Sequence, residues 1–338
     1  MAESAPDRGE DLPFVTVIMP VRDESRYIVR SLTAVLEQDY PRHRLEVIVA
    51  DGMSTDETRQ KVRALQASHS NIKLIDNPER IASTGLNRAM AIASGTVIAR
   101  VDGHCEIAPD YIRRAVQHLQ NDGIDGVGGP IETVGETPTA AVIAAVMSSV
   151  FGVGGSAFRT VKDRTMLTDT IVFPVYTRAI IERAGGYDAE LVRNQDDEYN
   201  YRLRKLGARL LLASDVRSRY YCRRTVRSLC SQYFQYGFWK VRVLRKHPRQ
   251  MSIRQFGPPV FVAALIGSIG LGALSPAGWW SFVAVGGSYL LANATASLLV
   301  ALRSERRTVQ LLLLPVVFAA FHVSYGLGFL LGFVRFGR

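Results

Sequence analysis

Residues 255–302 contain no Asp, Glu, Lys or Arg, and residues 308–334 contain none either. No other feature of the chain restricts its fold as strongly. A helix that crosses a membrane needs about 20 apolar residues. The first run has room for two such helices, with Ser275-Pro276-Ala277-Gly278 as the turn, and the second has room for one. A buried hairpin of a soluble protein would alternate apolar with polar residues, and neither run does so. Spans are expected at residues 257–274, 279–302 and 309–334. Pro315, Gly326, Gly328 and Gly332 offer break points for a re-entrant third segment. The 27 residues of that run favour a full crossing.

The net charge of +10 is concentrated in one place: residues 217–254 hold eleven Lys or Arg and no acid. The rest is nearly balanced, which excludes a diffuse nucleic-acid surface. Basic residues beside a first span mark its cytoplasmic side, and they also attract anionic lipid. The start, MAESAPDRGEDLP, is polar and lacks the apolar core of a signal peptide. The residues before the spans are therefore expected in the cytoplasm. Cys105, Cys222 and Cys230 form neither a disulfide framework nor a zinc spacing, in keeping with a reducing compartment.

Residues 14–101 alternate short apolar runs with helical patterns. FVTVIMP, LEVIVAD, NIKLID and the run ending at Val101 read as strands. Residues 26–38, 56–68 and 84–93 read as helices between them. This rhythm predicts a mostly parallel sheet with right-handed crossovers, in an α/β domain. Further on, the pattern predicts one helix over 139–151, a strand at IVFPVY, helices over 178–184 and 196–206, and a strand at ARLLLA.

Ligands of such sheets bind beyond the carboxyl ends of the strands, where Asp51 and Asp102 both fall. Asp51 opens ADGMSTDET and suits a planar base or a ribose, although an ordinary capped turn explains the same residues. Asp102 and His104, in VDGHC, pair a carboxylate with an imidazole two residues away. Together they can hold one divalent cation, and the nitrogen ligand favours Mn²⁺ over Mg²⁺. The third element is RNQDDEYNYRLRKLG, residues 193–207. Asp196, Asp197 and Glu198 at a helix start are favoured by the helix dipole, and one of them can serve as a base.

In order and spacing, VIMPVRDES, VADGMSTDET, VDGHC, GVGGSAFR, GGYD and RNQDDEYNYRLRKLG resemble a family 2 glycosyltransferase with the GT-A nucleotide-sugar fold. The likeness is nearest to the bacterial exopolysaccharide type, similar to the glucosyltransferases of succinoglycan assembly, where the metal motif also reads Asp-x-His. It covers roughly residues 14–245. The resemblance implies that Asp51 holds uracil, that Asp102 contacts ribose and metal, and that His104 completes a site for Mn²⁺ or Mg²⁺. It implies Asp196 as the general base, with Gln195 where the family usually has Glu. It places Pro20, Arg22, Glu24, Arg80, Asn87 and Gly103 at the donor as well. Gly154, Gly155, Ser156, Gln195, Asp197, Gln235 and Trp239 would line the acceptor. In YFQYGFWK, Phe238 replaces the arginine of the processive Gln-x-x-Arg-Trp motif, which speaks against a processive synthase.

The expected organisation is a tail (1–13), a GT-A domain (14–225), basic amphipathic helices (226–256) and three transmembrane helices (257–338). The expected activity is inverting transfer from a UDP-sugar to a polyprenyl-diphosphate-linked saccharide at the cytoplasmic face of the inner membrane. Rival readings are a transferase resembling dolichol-phosphate-mannose synthase with a polyprenyl phosphate acceptor, a catalytically silent membrane scaffold, and a transporter. The scarcity of ionisable residues in the spans argues against a transporter.

Overall fold

The computed structural model describes residues 12–120, 123–303 and 312–337. The chain begins β1 (Val15–Val21), α1 (Ile28–Leu36), β2 (Leu45–Asp51), α2 (Thr58–Ser68), β3 (Ile72–Asp76), α3 (Ala82–Ile92) and β4 (Val97–Arg100). It continues through β5 (Cys105–Ile107), α4 (Tyr111–Leu119), β6 (Gly126–Gly128), β7 (Ile131–Val134), α5 (Pro138–Met147), α6 (Val150–Val153) and α7 (Ala157–Thr160). Next come β8 (Met166–Leu167), β9 (Val175–Thr177), α8 (Arg178–Ala184), α9 (Gln195–Lys205), β10 (Leu210–Leu212) and β11 (Ser218–Tyr221). Four long helices follow: α10 (Val226–Lys246), α11 (Gly257–Leu274), α12 (Pro276–Arg303) and α13 (Leu314–Phe336). Two compact units form. The first holds Met1–Glu132 with Val161–Tyr220, and the second holds Thr133–Thr160 with Tyr221–Arg338.

The first unit is built on a sheet of order β3-β2-β1-β4-β9-β6-β10-β8. β3, β2, β1 and β4 run parallel, as the alternating pattern predicts, and β9 enters antiparallel between β4 and β6. Every residue of β2 is buried, the mark of a central parallel strand covered on both faces. The register sets Val21 beside Asp51 and Asp51 beside Asp76, so three strand ends lie level. The core on one face joins Ile18, Ile48, Leu86 and Ile98 to Tyr176, Tyr187, Tyr199 and Leu203. IVFPVY forms a strand only from Val175 onward. Phe173 has a positive φ of 49° and Pro174 has no N–H to give the ladder.

In the second unit the single helix expected over 139–151 is broken at Ser148-Ser149. Ser149 turns extended and its hydroxyl accepts from Gly152 N at 3.1 Å, so it caps a new helix, α6. Three helices are long and apolar enough to cross a membrane: Ile253–Leu274, Pro276–Arg303 and Leu314–Phe336. Large apolar side chains point outward on them, Leu274 at 85% exposure and Leu291 at 72%. The second begins earlier than expected because Pro276 starts a helix readily. Arg306, Arg307 and Arg338, whose charges bear on the orientation of the spans, lie outside the described residues.

The glycines read as break points serve another purpose. α13 is continuous, with Pro315 in its first turn, and its glycines face α10 and α11. A Cβ on Gly328 would lie 2.0 Å from Phe234 O, one on Gly332 2.5 Å from Phe238 O, and one on Gly237 2.0 Å from Tyr325 O. The two backbones therefore approach closely along a row of small residues, which is how apolar helices associate without a hydrophobic drive. Gly328→Leu should force α10 and α13 apart at a cost of about 1–3 kcal/mol or more. Gly270→Leu, where an added Cβ meets nothing within 4 Å, should be neutral. Thermal unfolding in detergent checks this: the expected result is a lower midpoint for the first variant and a wild-type midpoint for the second.

Candidate active site

The crevice forms where β1, β2 and β4 end. Asp51 is 1% exposed, yet it is charge-matched: Arg59 Nη1 lies 2.9 Å from Oδ2, and Ser54 N donates to the carboxylate at 3.3 Å. Arg59 comes from α2 and also pairs with Asp76 at the end of β3. The β1–α1 loop is laced to the β2–α2 loop. Asp23 N donates to Ser54 Oγ at 2.9 Å, Glu24 N to Thr58 Oγ1 at 2.7 Å, and Ser25 N to Asp56 Oδ2 at 3.0 Å. Desolvation would push the Asp56 carboxyl up, but hydrogen bonds from Thr58 and Ser25 outweigh it and hold it at about 2. This lacing positions Arg22, whose Nη1 donates to Arg80 O at 3.3 Å, so two expected donor residues meet.

Arg100 is the last residue of β4 and only 7% exposed. Its Nε lies 2.9 Å from Asp102 Oδ1 and its Nη2 3.1 Å from Oδ2, a bidentate pair. Two residues on, His104 Nδ1 stands 2.8 Å from Glu24 Oε1. A carboxylate can only accept, so Nδ1 carries the proton and the neutral ring's lone pair is on Nε2, the usual arrangement behind a metal-binding histidine. Gly103 between them is tightly fitted, since a Cβ there would meet Val21 Cγ1 at 3.0 Å and Glu24 Cγ at 3.1 Å. Ser31 on α1 secures the turn by donating to Asp102 O at 3.0 Å. Asp102 and His104 thus fit a divalent cation by donor type and tautomer. Glu24 beside them is held on His104 Nδ1, and among the described residues no group of three such side chains is arranged to hold a metal, so a cation here would take most of its shell from phosphate and water.

Asp196 sits in the first turn of α9, which is docked by the residues one turn further on. Tyr199 stacks on Tyr187 at 4.1 Å, and Tyr176 OH donates to Asn200 Oδ1 at 3.0 Å. Burial raises the Asp196 carboxyl. Arg100 opposes the rise, while the charges of Asp197 and Asp102 add to it. Arg100 therefore acts electrostatically on both expected functional aspartates, with the Tyr187 ring 5.9 Å from its guanidinium. Glu198, the third acid of that turn, is structural: it is 2% exposed and pairs with Arg202 at 2.9 Å.

Other expected residues stand as follows. Pro20 lies in β1 opposite Ala50. Asn87 clasps Tyr187, its Nδ2 donating to Tyr187 O at 2.8 Å and its Oδ1 accepting from Tyr187 N at 2.7 Å. Gln195 is 7% exposed, and its Oε1 has no partner among the described residues. Gly154, Gly155 and Ser156 belong to the second unit, where Gly155 O accepts from Arg254 Nη1 at 3.0 Å. Gln235 and Trp239 meet one turn apart on α10, with Trp239 Nε1 3.1 Å from Gln235 Oε1. Sequence reasoning missed Arg100, Tyr187 and Arg59. The available signal for Arg100 was a charge ending an otherwise apolar buried strand.

The pattern of the family described as Glycosyl transferase family 2 matches residues 16–185. The chain is 30% identical over 276 residues to the succinoglycan biosynthesis protein ExoA of Rhizobium meliloti, covering 80% of this chain and 83% of that one. It is 27% identical over 330 residues to the dolichyl N-acetyl-alpha-D-glucosaminyl phosphate 3-beta-D-2,3-diacetamido-2,3-dideoxy-beta-D-glucuronosyltransferase of Methanococcus voltae, 95% of this chain and 98% of that one. A similar solved structure is the mannosyltransferase PcManGT of Pyrobaculum calidifontis in complex with GDP-Man and Mn²⁺, at a TM-score of 0.60 and 22% identity, covering 97% and 90% of the two chains. The fold is thus of the GT-A kind. The matched strands carry Asp51 and Asp102 at their ends, and the chain belongs to glycosyl transferase family 2.

Proposed function

We propose that this glycosyltransferase moves a sugar, with inversion, from a UDP-sugar to a polyprenyl-diphosphate-linked saccharide at the cytoplasmic face of the inner membrane. The observation that carries the reading is the bidentate pair of Arg100 with Asp102 beside the strand ends, with the charge of Asp196 acting on the same guanidinium. Asp51 would accept from the uracil imide. Asp196 would take the proton from an acceptor hydroxyl as its oxygen bonds to the anomeric carbon and the bond from that carbon to the diphosphate oxygen breaks. A single base opposite the leaving group gives inversion without a carboxylate nucleophile. A divalent cation, Mn²⁺ or Mg²⁺, held by Asp102 and His104 would neutralise charge on the departing diphosphate. The Mn²⁺ bound by the Pyrobaculum mannosyltransferase and the lipid-linked name of the Methanococcus relative support the reading.

Asp196→Asn should fold and bind UDP while turnover falls by about 10²–10⁴-fold. The base must be deprotonated, so activity is lost as pH falls through its raised pKa. Asp197→Asn removes a charge that raises it, and should move that acidic limb to lower pH. Rate profiles of UDP release against pH measure both. An inactive Asp197→Asn beside an active Asp196→Asn would assign the base to Asp197.

Asp102→Ala should abolish activity, whereas His104→Asp should retain some and shift preference from Mn²⁺ toward Mg²⁺, because carboxylate is the harder ligand. Full wild-type activity in excess chelator is the contrary result. Three crossings from a cytoplasmic catalytic side would leave the C-terminus outside. A cysteine appended after Arg338, with the native cysteines replaced, should react with an impermeant thiol reagent from outside only. Labelling from the cytoplasmic side alone would favour a re-entrant third segment.

A further inference from the structure

His322 is the only histidine of the two uncharged runs. In α13 it is 6% exposed. Its Nε2 lies 3.0 Å from the carbonyl oxygen of Phe151, and its Nδ1 lies 3.0 Å from the Tyr289 hydroxyl on α12. A carbonyl can only accept, so Nε2 carries a proton, and in the neutral ring Nδ1 accepts from Tyr289. Both nitrogens are used.

The partner of Nε2 is not another membrane helix. It is the backbone of α6, a four-residue helix that lies 171 residues earlier in the chain. A helix of that length does not hold itself together. The Phe151 ring is pinned as well, edge-on to His322 at 4.9 Å and to Phe318 at 5.1 Å. Immediately after α6 come Gly154 and Gly155, with φ of 62° and 75°, and Arg254 secures Gly155 O from the start of the membrane segment. The turn is thus fastened at two points by side chains of the apolar end. A polar side chain buried among apolar helices is costly unless satisfied, and this one is satisfied by the loop.

We propose that His322 is a positioning residue for the acceptor: it holds α6 and the Gly154-Gly155-Ser156 turn in the shape that receives the lipid-linked saccharide. This rests on reading that turn as part of the acceptor site. Donor binding should be indifferent to it.

His322→Phe removes both hydrogen bonds, Tyr289→Phe removes one, and His322→Gln keeps a donor and an acceptor on one side chain. The measurements, on the full chain in detergent, are amide hydrogen exchange of residues 150–156 and the KM values for UDP-sugar and lipid-linked acceptor. His322→Phe should speed exchange and raise the acceptor KM about tenfold, the factor carried by a lost buried hydrogen bond. The donor KM should stay within about twofold, below the factor one such bond carries. Tyr289→Phe should show a smaller change in the same direction, and His322→Gln should lie close to wild type. Should His322→Phe fail to fold, Tyr289→Phe decides. Wild-type exchange in the folded variants overturns the clamp itself. Faster exchange with an unchanged acceptor KM overturns the acceptor reading of the turn.

Discussion

The guanidinium of Arg100 is the charge on which the first unit's site depends. Taking a cation out of water costs several kcal/mol unless geometry and partners offset it. Here the offset is a bidentate bond to Asp102, with the Tyr187 ring 5.9 Å from the guanidinium and the charge of Asp196 also favouring the cation. It pairs with the turn after β4, lies beside the Tyr187 ring in the loop after α8, and acts electrostatically on Asp196 at the start of α9. Each of these segments is fixed independently, by Ser31, by Asn87 and by Tyr199. Without the cation, the carboxylates of Asp102 and Asp196 would repel each other in a poorly solvated place, and the Asp196 carboxyl would rise further. The same arrangement lets a single residue act on both Asp102 and Asp196.

How much of this was legible in the sequence differs by scale. The parallel strands were readable because buried strands of a doubly covered sheet are continuous apolar runs: LEVIVAD became β2 without a residue's change in its bounds. Asp51 and Asp102 could be placed at strand ends for the same reason. The interruptions were not readable. Phe173-Pro174 sits in an apolar run that looks like a strand, and only the backbone turn at Phe173 excludes it. Ser149 looks like one more helical residue until its hydroxyl is seen to cap the next turn.

Partnerships between distant residues were less visible still. Arg100 follows three apolar residues at the end of a buried strand, and the sequence alone does not show that it pairs with Asp102. Glu24 and His104 are 80 residues apart, and their bond depends on the lacing of two loops. The glycines of α13 show a different ambiguity. A glycine in an apolar helix signals either a break or a close approach, and only the position of α10 separates the two.

Polar groups beside the strand ends and those among the apolar helices are satisfied in different ways. Near the crevice the chain uses full charges in pairs, such as Arg59 with Asp51 and Arg100 with Asp102. Among the apolar helices the polar groups are neutral and form short chains that end on backbone carbonyls. Tyr289 donates to His322, which donates to Phe151 O. Ser297 donates to Asn293, which donates to Pro315 O at 2.9 Å. A neutral chain with a carbonyl at its end leaves no charge to be solvated, so it can be buried among apolar side chains at little cost. Neutrality is therefore what allows a polar side chain of α13 to reach a glycine-rich turn without bringing water with it.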